Sequence, residues 1–231
     1  DFQVRIRNAI VKRQALDRIM IGFNGVKRAK TSNRAENSLL QDVNKGWLQK
    51  IREDAPDHVM GSTTKDGATT AGVVKVGKGG DYANLDAVVM DAVNELIDAV
   101  YQDDDDLVVV CGRELLSDKY FPLVNKEQDN SEKIAADLII SQKRMGGLQA
   151  VRAPYFPANA LLITRLDNLS IYWQEDTRRR SVIDNPKRDR VENFESVNEA
   201  YVVEDYRCAA LVENIQMGDF SAPAVPEGEG A

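Results

Sequence analysis

The chain has 231 residues, 43% hydrophobic and 29% charged, with a net charge of −7, enough apolar material for one large domain or two small ones. No stretch approaches the roughly 18 uninterrupted apolar residues of a membrane helix. The opening DFQVRIRNAIVKRQ lacks the apolar core and small-residue cleavage site of a signal peptide, so a cytosolic chain with no membrane partner is expected.

The charge is unevenly spread, with nine Lys or Arg against three acids in residues 1–36 and 21 against 34 in the remainder. A basic front on an acidic body is a poor duplex binder, because the body repels phosphate. Arg5, Arg7 and Arg13 therefore read as a solvated helix face or a contact with a neighbouring subunit. In that front, Phe2, Ile6, Ala9, Leu16, Met20 and Phe23 recur at steps of four and three, which predicts a helix running from the first residues. Its lack of a cap and of a start methionine suggests a piece of a longer protein. Gly22 and Gly25 are expected to supply a left-handed stop.

A second helix fits Leu40, Val43, Trp47 and Ile51 and closes at Pro56. Residues 61–80 read as a Gly- and Thr-rich connection holding one short strand, VVKV, before the turn GKGG. Leu85, Val88, Val89, Ala92, Leu96, Ala99 and Val100 form the clearest helical stripe, capped by Asn84. Asp103 to Asp106 then make an exposed turn into Leu107 to Cys111, a run apolar on both faces and so a central strand. Short helices are expected around Leu115, Leu116 and Tyr120, and again after Ser131 with Ile134 and Leu138, stopped by Gly146 and Gly147. Strands follow at Leu148 to Arg152, Leu161 to Leu166 and Leu169 to Trp173, the last two joined as a hairpin through Asp167-Asn168. From Thr177, polar β-type stretches flank the NPKRD turn, giving a long ribbon that needs a helix or a neighbouring subunit to lie on; the first helix is the candidate within the chain. The tail SAPAVPEGEGA is expected to be disordered.

Catalytic signals are few. His58 is the lone histidine and has no nucleophile or metal partner in the pattern. Cys111 and Cys208 lie in apolar runs at no framework or metal spacing and read as buried thiols. Gly72 to Gly79 approximates a phosphate loop, but Gly79 stands where Ser or Thr would hold magnesium, so nucleotide binding through Gly77-Lys78 is a remote alternative. Asp103 and Asp104 belong to an acidic run without calcium-loop spacing, which favours a solvated turn. Arg178, Arg179 and Arg180 alternate across the ribbon and cannot form one patch; an ion-pair role between subunits suits them. No cofactor, metal or enzymatic activity is expected.

The stretch DLVVVCGRELLSDKYFPLVNKEQDNSEKIAADLIISQKRMGGLQAVRAPYFPANALLITRLDNLSIYW, with GFNGVKR, LLQDVNKGWLQK, GKGGDYANLDAVVMDA and NPKRDRVENFESVNEAYVVEDY, resembles the major capsid proteins of tailed phages of the P-two group. The resemblance implies an α+β Hong Kong 97-like fold. It places a spine helix and part of a peripheral domain in 1–60, a connection in 61–80, an axial domain in 81–173, a peripheral β ribbon in 174–206, a return strand in 207–220 and a tail in 221–231. It also implies that the family's N-terminal arm, extended loop and scaffold segment lie upstream. The partners implied are further copies of the chain in pentamers and hexamers, a scaffold segment or protein, portal and head-completion proteins, and packaged DNA held without sequence preference. An encapsulin-like shell around an enzyme cargo is the other reading. Without arm and extended loop, this piece alone is expected to be a monomer or small oligomer.

Overall fold

The computed structural model describes residues 2–65, 68–124 and 142–221. The helices are α1 (Phe2–Asn24), α2 (Trp47–Asp54), α3 (Leu85–Leu96) and α4 (Arg113–Val124). The strands in the first half are β1 (Val59–Met60), β2 (Ser62–Lys65), β3 (Ala68–Ala71), β4 (Val74–Val76) and β5 (Leu107–Cys111). Those in the second half are β6 (Arg144–Met145), β7 (Leu148–Arg152), β8 (Leu161–Arg165), β9 (Leu169–Trp173), β10 (Arg179–Asn185), β11 (Arg190–Ser196), β12 (Glu199–Val203), β13 (Ala209–Val212) and β14 (Ile215–Met217).

A six-stranded sheet, ordered β1-β13-β8-β5-β7-β6, organises the core. Every residue of β5 is buried, and the strand divides its side chains between two cores because neighbours point to opposite faces. Leu107, Val109 and Cys111 join α3, Leu115, Leu116 and Tyr120 on one side. Val108 and Val110 join Phe23, Trp47, Leu48, Ile51 and Tyr201 on the other. Strands β8 and β13 alternate in the same way: Ile163 and Ala210 face the first core, Leu162 and Leu211 the second. The run read as apolar on both faces is thus a central strand for the expected reason.

Helix α3 begins where Asn84 accepts from the Ala87 amide at 2.9 Å, a cap worth about 1 kcal/mol. It ends at Leu96, so Ala99 and Val100 fall outside it, and Val100 is exposed. Beside it the Tyr82 hydroxyl donates to Asp91 at 2.5 Å; burial, then that carboxylate, push the phenol up to about 12.

Several expectations are corrected. Leu40 and Val43 are not helical, because α2 starts only at Trp47 and Leu40 has φ 58°. The segment leading to α2 is held instead by buried Asp42, which accepts from Ser32 Oγ at 2.9 Å and the Asn33 amide at 2.7 Å. Gly22 and Gly25 are not left-handed stops, since neither has positive φ. They permit close approach: a methyl on Gly22 would enter the Trp47 ring, and one on Gly25 would strike the Asn44 carbonyl. The 61–80 connection contains an antiparallel hairpin, β2 with β3, before the expected strand β4. Asp167-Asn168 closes no hairpin. A 3-10 turn at Leu166–Asn168 carries the chain out of the six-stranded sheet, and β9 pairs antiparallel with β12. There Asn168 Nδ2 donates to the Asp205 carbonyl at 2.9 Å, and Asn168 Oδ1 accepts from the Asp205 amide at 2.7 Å. The helix expected after Ser131 and the tail beyond Ser221 lie outside the described residues.

An ion pair locks α2 to the sheet. Arg52 Nε donates to Glu213 at 3.0 Å, and Ser62 Oγ donates to the other oxygen of the same carboxylate at 2.8 Å.

Candidate subunit interface

The ribbon is built in two stages. Near the core, β9 and β12 bury Tyr201 and Val203 against Trp47, whose Nε1 donates to the Ser170 carbonyl at 2.9 Å. The chain then continues as β10 and β11, paired from Arg179↔Ser196 to Asn185↔Arg190, with scarcely a residue shielded. Register sorts the side chains. Ser181, Phe194, Ile183 and Glu192 share one face; Arg180, Glu195, Val182, Asn193, Asp184 and Val191 share the other. Each face therefore carries a diagonal apolar pair, Ile183 with Phe194 and Val182 with Val191; Phe194 is 55% exposed and Val191 67%.

The first helix does not cover this ribbon. It meets the base through a hydrogen bond between Gln14 and Glu195 and an ion pair in which Arg18 Nε donates to Glu199 at 2.8 Å. Met20 and Phe23 of the apolar stripe are buried, but Phe2 (77% exposed), Ile6 and Ile10 project into solvent with Val4 and Val11. Helix start and ribbon are thus two apolar surfaces that the described residues leave uncovered.

The charged residues expected at an interface are scattered. Arg5 and Arg7 lie on the exposed part of α1 and have no ion pair among the described residues. Arg13 pairs with Asp17 at 2.9 Å within its own helix. Arg178 Nε donates to Glu195 at 2.6 Å across the ribbon and holds that carboxyl below its usual range. Arg180 Nε donates to Asn193 at 3.3 Å, while Arg179 is exposed on the opposite face. Asp103 is exposed, but Asp104 is turned inward to Arg165 at 3.1 Å and caps the Asp106 amide at 2.9 Å. The structure does not gather the eight residues into one patch. Sequence reasoning missed the uncovered apolar residues Val182, Ile183, Val191, Phe194 and Trp173. The available signal was apolar residues on both faces of a strand pair too polar to form a core.

The chemical alternatives fit poorly. The Gly77 amide donates to the Tyr82 carbonyl at 2.8 Å and is not free for a phosphate. Gly77 (φ 138°) and Gly79 (φ 73°) let the turn pass against residues 218–221, where the Phe220 amide donates to the Lys78 carbonyl at 2.8 Å. His58 is half-buried in a 3-10 turn at Pro56–His58. A cleft of about 220 Å³ lies between the end of α1, residues 28–44 and β12. Its Asp42 is bonded to Ser32, its Asn44 to the Glu199 carbonyl at 2.7 Å and its Glu199 to Arg18, so these polar groups serve the fold. Burial pushes the Cys111 thiol up to about 11, the opposite of an activated nucleophile.

The profile of the family described as phage major capsid protein, P2 family, matches residues 1–215. The chain belongs to that family. It is 65% identical over 230 residues to the capsid proteins of Escherichia phage P2, covering 99% of this chain and 64% of that protein. It is 40% identical over 218 residues to the major capsid protein of Serratia phage KSP20, covering 93% of this chain and 62% of that one. It therefore spans less than two thirds of the length of these relatives. Among solved structures, a chain of the satellite phage P4 procapsid including size determination (Sid) protein superposes with a TM-score of 0.86 at 63% identity, over 96% of this chain and 66% of that one. A chain from the capsid of an empty GTA particle gives 0.50 at 17% identity, over 94% and 66%, a likeness of fold alone. The fold is the α+β, Hong Kong 97-like capsid fold. Nothing in these likenesses supports the cargo-enclosing or nucleotide-binding readings.

Proposed function

We propose that this chain is the shell-forming body of a tailed-phage major capsid protein, which assembles with further copies into the pentamers and hexamers of an icosahedral head around packaged DNA. The observation that carries the reading is the pair of uncovered apolar surfaces on a chain of this family: the start of α1, and a two-stranded ribbon exposed on both faces. A two-stranded ribbon is marginal by itself and gains stability from a partner surface. Exposed apolar surface on a folded chain marks contact with other proteins.

In this reading β5 to β8 of the six-stranded sheet, with α3 and α4, make up the axial domain, residues 81–173, together with the return strand β13 in 207–220; β1 of that sheet comes from 1–60, and β9 at the domain's end starts the ribbon. Part of 1–60 and the ribbon in 174–206 form the peripheral domain. Each copy offers unlike surfaces to its neighbours, so contacts are heterologous and close into rings. The exposed arginines and Asp103 act at the rims of these contacts. A scaffold segment or protein, the portal and head-completion proteins are the further partners, and DNA is enclosed without sequence-specific contact. The work is geometric and needs no catalytic residue or cofactor.

The test is a double substitution, Val191→Ser with Phe194→Ser, in the longer protein expressed with its scaffold. Both side chains are exposed, so the unfolding free energy of the isolated chain should stay within the roughly ±0.5 kcal/mol usual for surface changes. Particle yield in sucrose gradients should nevertheless collapse. Normal particle yield from this variant would remove the ribbon from the interface.

A further inference from the structure

Around the elbow of the ribbon, Trp173 is 72% exposed at the outer end of the face that carries Ile171, Tyr201 and Glu199. This chain covers the inner end of that face through Trp47 on Tyr201, while Ile171 stays 36% exposed, and Tyr172 is exposed on the other face. A tryptophan left in solvent beside apolar neighbours is the residue type that most often anchors an interface. The next residues are acidic: Glu175 and Asp176 are exposed and make no ion pair among the described residues. The start of α1 has the opposite charge and the same apolar character. Phe2, Ile6 and Ile10 recur every four residues along one side, with Arg5, Arg7 and Lys12 around them, none in an ion pair among the described residues.

We propose that the α1 start of one copy docks on the Trp173 elbow of a second copy, with Ile6 and Ile10 against Ile171 and the Trp173 ring, and Arg5, Arg7 and Lys12 facing Glu175 and Asp176. The inference rests on the shell reading above and specifies one of its contacts. The same copy does not make it: Ile6 and Ile10 stay about half exposed and Trp173 lies open. Arg18 is bound to Glu199, which pairs directly across from Trp173. Ile6 lies twelve residues earlier on a continuous helix, about 18 Å away at 1.5 Å per residue. The partner must therefore be another molecule, and since helix meets elbow, the contact is heterologous and propagates from copy to copy. A guanidinium over the indole face would add a cation–π attraction to the apolar contact.

The test uses two single-cysteine additions to the full chain, Ala9→Cys beside the helix stripe and Ile171→Cys beside Trp173, against native thiols that are both buried. Mixed in equal amounts and oxidised with copper–phenanthroline, they should form the mixed disulfide about tenfold faster than either homodimer. Adding Trp173→Ala to the second chain, or Arg5→Glu with Arg7→Glu to the first, should lower that rate roughly tenfold. Glu175→Lys with Asp176→Lys in the second chain should restore the rate lost to the arginine reversals. Equal rates for mixed and like pairs, or a rate indifferent to Trp173→Ala and to charge reversal, would overturn the pairing. Particle formation by the longer protein, measured in parallel by sedimentation, separates that outcome from a failure of the shell reading.

Discussion

Replacing Gly22 by alanine sets two effects of opposite sign against each other. In a helix interior the change removes backbone freedom from the unfolded chain and gains about 1 kcal/mol. At Gly22 the new methyl would sit inside the Trp47 ring, and that ring is held by its hydrogen bond to Ser170 at 2.9 Å and by edge contacts with Phe23 and Tyr201 at 5.3 Å between centroids. Overpacking of a fixed core costs about 1–3 kcal/mol, and a ring pinned on three sides places the cost at the upper end. The net loss is about 1–2 kcal/mol. For a chain of this length each kcal/mol moves the melting temperature by roughly 2–4 °C, so a fall of about 5 °C is expected in differential scanning calorimetry. Gly25→Ala should behave similarly, because its methyl meets the Asn44 carbonyl. A rise in melting temperature for Gly22→Ala would mean that helix propensity governs the site and that α1 does not rest on Trp47 as described.

Two further outcomes are expected. Arg52→Ala leaves Glu213 charged and mostly buried, with Ser62 its remaining side-chain partner, and should cost about 3–5 kcal/mol in urea unfolding; adding Glu213→Gln should recover part of it, and simple additivity of the two losses would argue against the pair. Asp205 has its carboxyl pulled far down by the Arg207 guanidinium, then by the Tyr101 hydroxyl and the Arg207 amide. A depressed carboxylate stabilises the folded state above its unfolded pKa near 4, and that contribution drains away as pH falls toward the folded value. Wild type should therefore lose denaturation midpoint between pH 4 and pH 2 more steeply than Asp205→Asn, and parallel curves would show that the carboxylate plays no such part.

Much of the interior was legible because burial leaves a periodic trace. The five apolar residues of β5 and the capped stripe of α3 are written plainly, since a strand buried on both faces and a helix buried on one each need those patterns. Leu40 and Val43 misled because they happen to continue the spacing of Trp47 and Ile51, while a left-handed Leu40 and the buried Asp42 tether hold them in turns. Gly22 and Gly25 were read for their dihedral freedom, yet they serve as places without a side chain, and the ring and carbonyl that need the room arrive from residues 44–47. Asp167-Asn168 has turn chemistry that is used to change sheets, a decision made by the partners of Asn168 near Asp205. The interface was the least legible part. Phe2 and Ile6 obey the same spacing as Met20, and one sequence cannot say that the latter is buried while the former stay exposed. Charge drew attention to the arginines, several of which are already paired, and away from Phe194 and Trp173.

Association of this fold with copies of itself is tested by sedimentation velocity on the longer protein with its scaffold, run beside this chain. Self-association should give megadalton particles from the longer protein and a monomer or small oligomer from this chain. A longer protein that stays at the size of a few subunits, while folded, would contradict it.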